Sequence, residues 1–453
     1  MNHQLFEEFN TIPPKQWKNK IQYELDGVDY NKTLVWESLE GIKVRPFYHK
    51  DESHPFPIAT QTSQWQLVHH IYIHDLEKSI SNATTSLQKG TEAIYFTLAN
   101  PSIDLTLLLV ALPKNAVYFF RFTFLDPTYI KQVSQWSTQN KYTIHLLIDP
   151  IYQLVTDGNW FHNVTQDFTI TDTLLGQSSQ VNLVIDTKAY QNAGATIIQQ
   201  VAYACSHWNE YLLRLKIQQQ PIFIEVATGG TYFFEIAKLK ALRMLFELLA
   251  QEYGQHTLTI KIISTPTKRN KTLYSSTINQ LRTTTECMSA ILGGTDFISN
   301  LPYDALYRKD NYLSQQIARD QLSLLKKEAC FTAVDNPTEG TYYIDYLTKQ
   351  IAEKALDIFK QIEKSDGFIT SLHAGTIQRK IHESAEKEQD LFNTQKEILL
   401  GINRDLNTQE RMQTQLELYP FVKQKPRKTL IAPLIEKRLA EAHEQHRLAQ
   451  ENK

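Results

Sequence analysis

Short apolar segments rich in β-branched and aromatic residues alternate with longer amphipathic segments through most of this 453-residue chain. This alternation is typical of βα units that build a parallel sheet. Eight strands spread over roughly 250 residues are what a closed (β/α)8 barrel needs. The expected fold class is therefore α/β, a TIM barrel, with an open doubly wound sheet as the alternative. The predicted strands are Glu92–Leu98, Ala116–Phe122, Tyr142–Asp149, Val181–Asp186, Pro221–Ala227, Leu258–Ile263, Thr295–Ser299 and Phe331–Asp335. Val68–His74 also fits a strand but is left out of this count.

The clearest predicted helix follows the Gly229-Gly230 turn, with Thr231 as its expected N-cap. Apolar residues then recur every three or four positions, as expected of a helix that covers a barrel. Similar patterns predict helices over residues 195–215, 276–292, 312–327 and 342–362.

Three regions differ in composition. Residues 1–65 form an aromatic-rich N-terminal arm, residues 66–384 the barrel, and residues 385–453 a polar, helical C-terminal extension with weak core potential. Because large exposed apolar patches are uncommon on free monomers, the arm must pack across the barrel or wrap a partner. Aromatic side chains dominate protein interfaces. The candidates for partner contacts are Trp17, Trp36, Phe47 and Tyr48.

The charge balance gives no basis for nucleic-acid or membrane-surface binding, since the formal net charge is -2. The first ten residues resemble neither a secretory signal nor a transit peptide. The longest apolar run, Leu107–Leu112, is far shorter than the ~20 residues that cross a bilayer. Cys205, Cys287 and Cys330 are predicted to be buried, reduced thiols. We therefore predict a cytoplasmic protein without nucleic-acid or membrane partners.

Common catalytic motifs are missing: GxGxxG opening a helix, the Walker loop, HExxH, GxSxG and CxxC do not occur. Carboxylates end several predicted strands, where barrel active sites lie. Helix capping or pairing with Arg or Lys is the favoured alternative for them. These residues are Asp149, Asp186, Glu225 and Asp335. His69, His70 and His74 are the densest histidine group, and a structural role is favoured because two imidazoles alone make a poor metal site.

Four stretches, in the right order, resemble the methylmalonyl-CoA mutase family. That family isomerises succinyl-CoA and methylmalonyl-CoA by a radical route, with adenosylcobalamin supplying the radical and a barrel enclosing the thioester. The stretches are WKNKIQYELDGVDYNKTLVWESLEGIKVRPFY, YQNAGATIIQQVAYA with the helix YFFEIAKLKALRMLFELL, INQLRTTTECMSAILGGTDFISNLPYD, and DNPTEGTYYIDYLTKQIAEKALDIFKQIEKSDGF.

The resemblance also shows which residues have been lost. Active members carry a Tyr-His pair just upstream of the AGA turn, and alignment on that turn places Lys188 and Ala189 there. Alanine has no donor for a thioester carbonyl, and a flexible ammonium does not replace a flat phenol beside a corrin. The family's Arg-Thr-His-Ser run on the sixth strand corresponds to residues 261–264, which read KIIS, and its Arg- and Tyr-containing loops resemble nothing in residues 97–105. We expect no catalytic residues in this chain.

The family's cobalamin-binding motif is also missing. In that family a flavodoxin-like domain with a DxHxxG motif supplies a histidine to cobalt, whereas no histidine here has an aspartate two positions before it. We expect no cobalamin domain and no cofactor or metal bound by this chain, with adenosylcobalamin carried by a partner subunit in the complex.

These losses favour the small, non-catalytic subunit of a heterodimeric methylmalonyl-CoA mutase, inactive alone and bound to a large catalytic subunit. One alternative is an active barrel subunit that uses a separate cobalamin-binding protein, which would still need the Tyr-His pair. Another is a free-standing acyl-CoA-binding barrel, which needs an open passage along the barrel axis. Two inward side chains among Phe96, Phe119, Phe223 and Phe297 are enough to fill that passage.

Overall fold

The computed structural model describes residues 10–52, 63–217, 220–423 and 426–451. Its strands are β1 (Trp36–Glu37), β2 (Lys43–Val44), β3 (Gln66–Ile73), β4 (Ala93–Leu98), β5 (Val117–Phe122), β6 (Thr143–Ile148), β7 (Val181–Asp186), β8 (Ile222–Thr228), β9 (Ile260–Pro266) and β10 (Phe297–Ile298). Its helices are α1 (Pro14–Glu24), α2 (Tyr30–Leu34), α3 (Leu76–Gln88), α4 (Leu105–Val110), α5 (Pro127–Gln139), α6 (Pro150–Asp157), α7 (Val164–Gln177), α8 (Lys188–Asn192), α9 (Ile197–Arg214), α10 (Tyr232–Glu252), α11 (Ile278–Leu292), α12 (Tyr312–Lys327), α13 (Tyr342–Lys364), α14 (Gly367–His373), α15 (Thr376–Asn393) and α16 (Glu441–Glu451).

Strands β3 to β10 form a closed barrel of eight parallel strands, with β10 pairing with β3 to complete it. Closure confirms the predicted (β/α)8 class and excludes the open doubly wound sheet. Helices α3 to α11 connect successive strands, as expected for right-handed parallel crossovers, and α12 follows the last strand.

The identity of one strand was predicted wrongly. Residues 331–335 form turns after α12, and Val334 is exposed, whereas β3 (Gln66–Ile73) supplies the missing strand. Because β3 is the first barrel strand, every predicted strand from Glu92–Leu98 to Thr295–Ser299 lies one position later in the barrel than its predicted number. Residues 261–264 lie on the seventh barrel strand, and residues 97–105 follow the second.

Two apolar layers hold the barrel together, as the two-residue period of a strand requires. One face of each strand packs on the surrounding helices; for β3 to β9 it contributes to the main core, which includes Phe96, and for β10 to a smaller cluster with Ile298. The opposite faces meet on the barrel axis in a second cluster formed by Val68, Ala93, Tyr95, Phe119, Leu147, Val184, Phe223, Ile263 and Phe297.

The predicted helices agree closely with the structure, and α12 has the predicted bounds. Thr231 precedes α10 as predicted, but its side chain makes no capping hydrogen bond. Helix α9 has the better cap, because Thr196 and Gln199 bond each other's backbone in a capping box. Helix α13 packs on α9 and α10 outside the barrel.

The arm is more regular than an aromatic-rich linker, since it contains α1, α2 and the β1–β2 hairpin. Residues 1–9 and 53–62 of the arm lie outside the described residues. Ile42 is fully buried in the main core, and Trp36 packs edge-on against Phe234 of α10, with ring centroids 5.9 Å apart. The hairpin therefore lies on the barrel, whereas α1 contains no buried residue.

The C-terminal extension contributes to the core, contrary to its predicted weak core potential. Ile431 and Leu434 join the main core, and Leu439 packs with Tyr274 and Phe392 in a separate cluster. Among its described residues beyond α15, the only helices are one 3-10 turn and α16, so most of the extension is irregular. The predicted boundary at residue 384 falls inside α15, and the three-region division stays a prediction.

Candidate functional site

The carboxyl ends of four barrel strands bring five side chains together, here called the ion cluster: Tyr95, Arg121, Asp186, Lys188 and Glu225. The Lys188 ammonium bonds the Glu225 carboxylate and lies 3.4 Å from an Asp186 oxygen. The Tyr95 hydroxyl donates to the other Glu225 oxygen at 2.5 Å. Four of the five residues lie on strand faces that point to the barrel axis, and Lys188 begins α8 just after β7, so the barrel geometry itself assembles the cluster.

Charge interactions in the ion cluster outweigh burial at Lys188 and Glu225. Burial alone lowers the pKa of Lys188, but Asp186 and Glu225 raise it above its usual value. Burial raises the pKa of Glu225, and the charges of Lys188 and Arg121 bring it below the ordinary range. Burial dominates at Asp186 and raises the pKa of that carboxyl to about 7, with Glu225 adding to the rise. Lys188 is thus a charged ammonium held by a carboxylate.

Asp149 at the end of β6 serves the scaffold. Its carboxylate accepts from the Tyr152 backbone N–H at 2.8 Å, which caps α6, and from the Asp186 backbone N–H at 3.0 Å. His207 Nε2 and the Tyr211 hydroxyl donate to it at 2.9 and 2.6 Å. Burial raises the pKa of Asp149, but the interactions with His207 bring it below its usual value. Three of the four strand-end carboxylates therefore act in caps or ion pairs.

Asp335 does not join them. It lies in the turns after α12, away from any strand end, and accepts a hydrogen bond from the Ser63 backbone at 2.5 Å. This hydrogen bond lowers the pKa of the Asp335 carboxyl. The wrong strand assignment had placed it on the barrel face.

Ala189, which the family resemblance aligns with the histidine of the Tyr-His pair, is a packing residue. Ala189 is fully buried in the main core, on the side of the helices. It presents no polar atom to the barrel interior.

The barrel axis is filled beneath the ion cluster. The Phe119 ring lies 4.9 Å from Phe297 and 5.5 Å from Phe223, centroid to centroid, both edge-on. Three of the four phenylalanines thus point inward, and Phe96 points to the helices. Edge-on aromatic packing at these distances leaves no continuous passage along the axis.

The three clustered histidines have separate environments. His69 is buried and lies 3.0 Å from the Ser86 hydroxyl, whereas the His70 ring stacks on Tyr95 at 4.3 Å. Burial lowers the pKa of His69 to about 4 and that of His70 to about 3, so both are neutral. His74 is exposed. Within the described ranges, no group of three or more His, Cys, Asp or Glu side chains is arranged to hold a metal ion.

The remaining predicted residues are placed as follows. Lys261 of the KIIS stretch pairs with Asp296 at 2.8 Å. Cys205 and Cys287 are buried thiols as predicted, but Cys330 is exposed. No helix in the described part of the chain is long and apolar enough to cross a membrane.

The sequence did not single out Tyr95, Arg121, His207 or Tyr211. The available signal was the arginine within the otherwise apolar strand VYFFRF, because alternation places Arg121 on the same face as Phe119. His207 and Tyr211 lie on α9 one turn apart, a spacing that equally fits core packing.

A family model described as methylmalonyl-CoA mutase matches residues 145–450. The methylmalonyl-CoA mutase small subunit of Porphyromonas gingivalis is 30% identical, over 90% of this chain and 72% of the relative. This chain belongs to the methylmalonyl-CoA mutase family. The small subunit of Streptomyces virginiae is 23% identical, over 87% of this chain and 71% of the relative. The match to the Rhizobium meliloti mutase is 29% identical over 47% of this chain, and it covers only 32% of that longer relative.

The residues at the family's Tyr-His positions do not fit adenosylcobalamin, the cofactor that the family resemblance implies. Lys188 is anchored by two carboxylates, and Ala189 faces the helices. Neither residue offers a flat ring to pack against a corrin or a donor for a thioester carbonyl.

Proposed function

We propose that this chain is the non-catalytic small subunit of a heteromeric methylmalonyl-CoA mutase, a folded scaffold for a large subunit that carries the catalytic residues and adenosylcobalamin. The observation that carries the proposal is the ion cluster: Lys188 stands where active members have tyrosine, and Glu225 and Asp186 hold its ammonium. A scaffold of this kind stabilises its partner by mass action, because it binds only the folded form.

The filled axis supports the scaffold over the two alternatives. Both an active barrel subunit and a free-standing acyl-CoA-binding barrel need a passage for the thioester, and Phe119, Phe223 and Phe297 occupy the axis. The names of the two small-subunit relatives, which this chain matches over most of its length, support the same role.

The direct test is turnover by the isolated chain and by the complex. We expect the purified chain to convert no succinyl-CoA in the presence of adenosylcobalamin, and to copurify with the co-expressed large subunit as an active complex. Turnover by the isolated chain, or failure of the two chains to associate, would contradict the proposal.

A variant of Lys188 tests whether this chain is a scaffold or supplies a catalytic group to the complex. Lys188→Met removes the ammonium from the ion cluster, and Lys327→Met removes an exposed lysine as the matched control. Expressed per mole of intact complex, turnover should stay within about twofold of wild type in both variants, since a catalytic group typically contributes about 100-fold or more. A much larger loss in Lys188→Met with the complex intact would assign Lys188 a catalytic role.

A further inference from the structure

The barrel is closed along one seam by only a short ladder. Strand β10 has only two residues and pairs with β3 only at Gln66 and Leu67, although β3 continues to Ile73. A cavity of about 370 Å³ lies beside this seam. We call it the seam cavity. Its walls include His70 of β3 and Arg319 of α12.

Arg319 is a buried cation without a counter-ion. Its residue is only 7% exposed, and its Nε and Nη2 atoms are buried without a hydrogen-bond partner. No carboxylate in the described part of the chain lies within ion-pair distance of it. The other four buried arginines each have a carboxylate partner: Arg121 with Asp149, Arg243 with Asp296, Arg269 with Glu388 and Arg438 with Glu444.

A buried guanidinium without a partner is costly, since folding removes it from water without replacing its hydrogen bonds. Burial also lowers the pKa of Arg319, and the charge of the neighbouring Asp320, which is beyond ion-pair distance, offsets only part of this effect. A ligand with negative oxygen atoms in the seam cavity would supply what the chain does not.

Two further groups face the same cavity with unmet hydrogen-bonding capacity. The His70 Nε2 atom and the Thr91 hydroxyl are buried without a partner, and both residues line the seam cavity. The lining cations Lys188 and Lys268 are already paired with Glu225 and Glu436. Asp310 also lines the cavity and accepts from Gln315 at 3.2 Å. Arg319 is therefore the cation available to a ligand.

We propose that the seam cavity is an anion site in which Arg319 binds a phosphate or carboxylate group. A planar guanidinium presents a fork of N–H donors that matches both kinds of oxyanion. Lys188 of the ion cluster lines one wall of the cavity, but the proposal does not rest on the scaffold role, because it concerns the unpaired guanidinium of Arg319 and no partner subunit.

Heat unfolding and calorimetric titration of the full chain test the site, with inorganic phosphate and succinate as separate probes at constant ionic strength set by sodium chloride. We expect at least one probe to bind saturably and raise the Tm of the wild type. Arg319→Gln should weaken that binding roughly tenfold or more, the loss of a charge-assisted hydrogen bond. Without a probe, this variant should have a higher Tm than the wild type, because it no longer buries an unpaired charge.

Arg379→Gln is the control, since Arg379 pairs with Glu383 on the surface of α15. It should bind both probes as the wild type does. A response to phosphate alone would assign a phosphate group as the ligand, and a response to succinate alone a carboxylate. If neither probe raises the Tm above the chloride control, or if Arg319→Gln responds like the wild type, the anion site is excluded.

Discussion

At the residue scale, the ion cluster is a buried arrangement of opposite charges. Two buried carboxyls, Asp186 and Glu225, lie beside one ammonium, that of Lys188. Two acids that share one ammonium in a buried volume drive one carboxyl toward its neutral form. Asp186 takes that role, because its pKa rises while the pKa of Glu225 falls.

This imbalance predicts a pH-dependent stability. Burial raises the pKa of Asp186 from 3.8 to about 7, so the folded chain holds a proton that the unfolded chain has released. The contribution of Asp186 to the free energy of unfolding therefore falls as the pH rises from about 4 to about 7. Asp186→Asn keeps an acceptor for the Lys188 backbone N–H and should be more stable than wild type at pH 8 by about 2 kcal/mol, with little difference at pH 4.

Urea unfolding of both proteins at several pH values measures this difference. The exposed Asp390→Asn in α15 is the control and should show no such pH-dependent gain. A loss of stability at pH 8 in Asp186→Asn would mean that the ion pair with Lys188 outweighs the burial of a second carboxylate.

At the element scale, the phenylalanines on the barrel axis act as structural packing. Phe223 is almost fully buried and contacts Phe119 and Phe297. Phe223→Ala should lower the free energy of unfolding by about 3–5 kcal/mol, because the rigid barrel cannot collapse around the space left. Phe233→Ala removes an equal side chain that is half exposed at the start of α10, and should cost about 1 kcal/mol or less. Equal losses in denaturant unfolding would show that the axis is not tightly packed.

The C-terminal extension is held by a buried ion pair. Glu444 of α16 accepts from Arg438 at 2.6 Å and from the Leu273 backbone N–H at 2.7 Å, and both charged side chains are buried. Glu444→Gln should lower the free energy of unfolding by about 2–4 kcal/mol, since it leaves the Arg438 charge without a partner. The surface pair of Lys349 and Glu353 gives the control Glu353→Gln, which should leave the Tm unchanged. An unchanged Tm in Glu444→Gln would show that the extension does not unfold cooperatively with the barrel.

The sequence predicts strongly periodic elements well and irregular ones poorly. Helix α12 has its predicted bounds because its apolar spacing and its cap Asn311 agree. Strand β3 has a weaker apolar pattern than the other strands because of its two adjacent histidines, one of which contacts Ser86 outside the barrel while the other stacks on Tyr95 inside it. The packing of Ile431 and Leu434 was missed, since an irregular segment has no period that could reveal its buried side.

Some residues of the candidate sites could likewise be predicted from the sequence, and others could not. Three of the predicted carboxylates could be located from the alternation, because Asp186 ends β7, Asp149 follows β6 directly and Glu225 lies within β8. The unpaired charge of Arg319 could not be predicted, since no sequence pattern shows which side chains tertiary packing will bring to a guanidinium.

At the scale of the whole molecule, the described part of the N-terminal arm places its hairpin on the barrel, whereas α1 buries none of its residues. The β1–β2 hairpin and Tyr48 pack on α10 and α13, where Tyr48 stacks on Tyr343 at 5.1 Å. Phe47 and Tyr48 are half-buried within this chain, so they offer a partner less surface than expected. Trp17 and Trp36 remain 42% and 55% exposed, and they are the stronger candidates for partner contacts.

If the scaffold proposal holds, these two tryptophans provide part of the interface with the large subunit. Replacing both, Trp17→Ser with Trp36→Ser, should weaken the complex roughly tenfold or more, because buried aromatic anchors dominate interface energies. The Tm of the isolated chain should change little, since α1 buries no residue and Trp36 makes one edge-on contact with Phe234. Tyr72→Ser removes an equally exposed aromatic from β3 and should leave binding intact. Titration of the large subunit with each variant, followed by sizing, measures the change, and full-strength binding by the double variant would move the interface away from the arm.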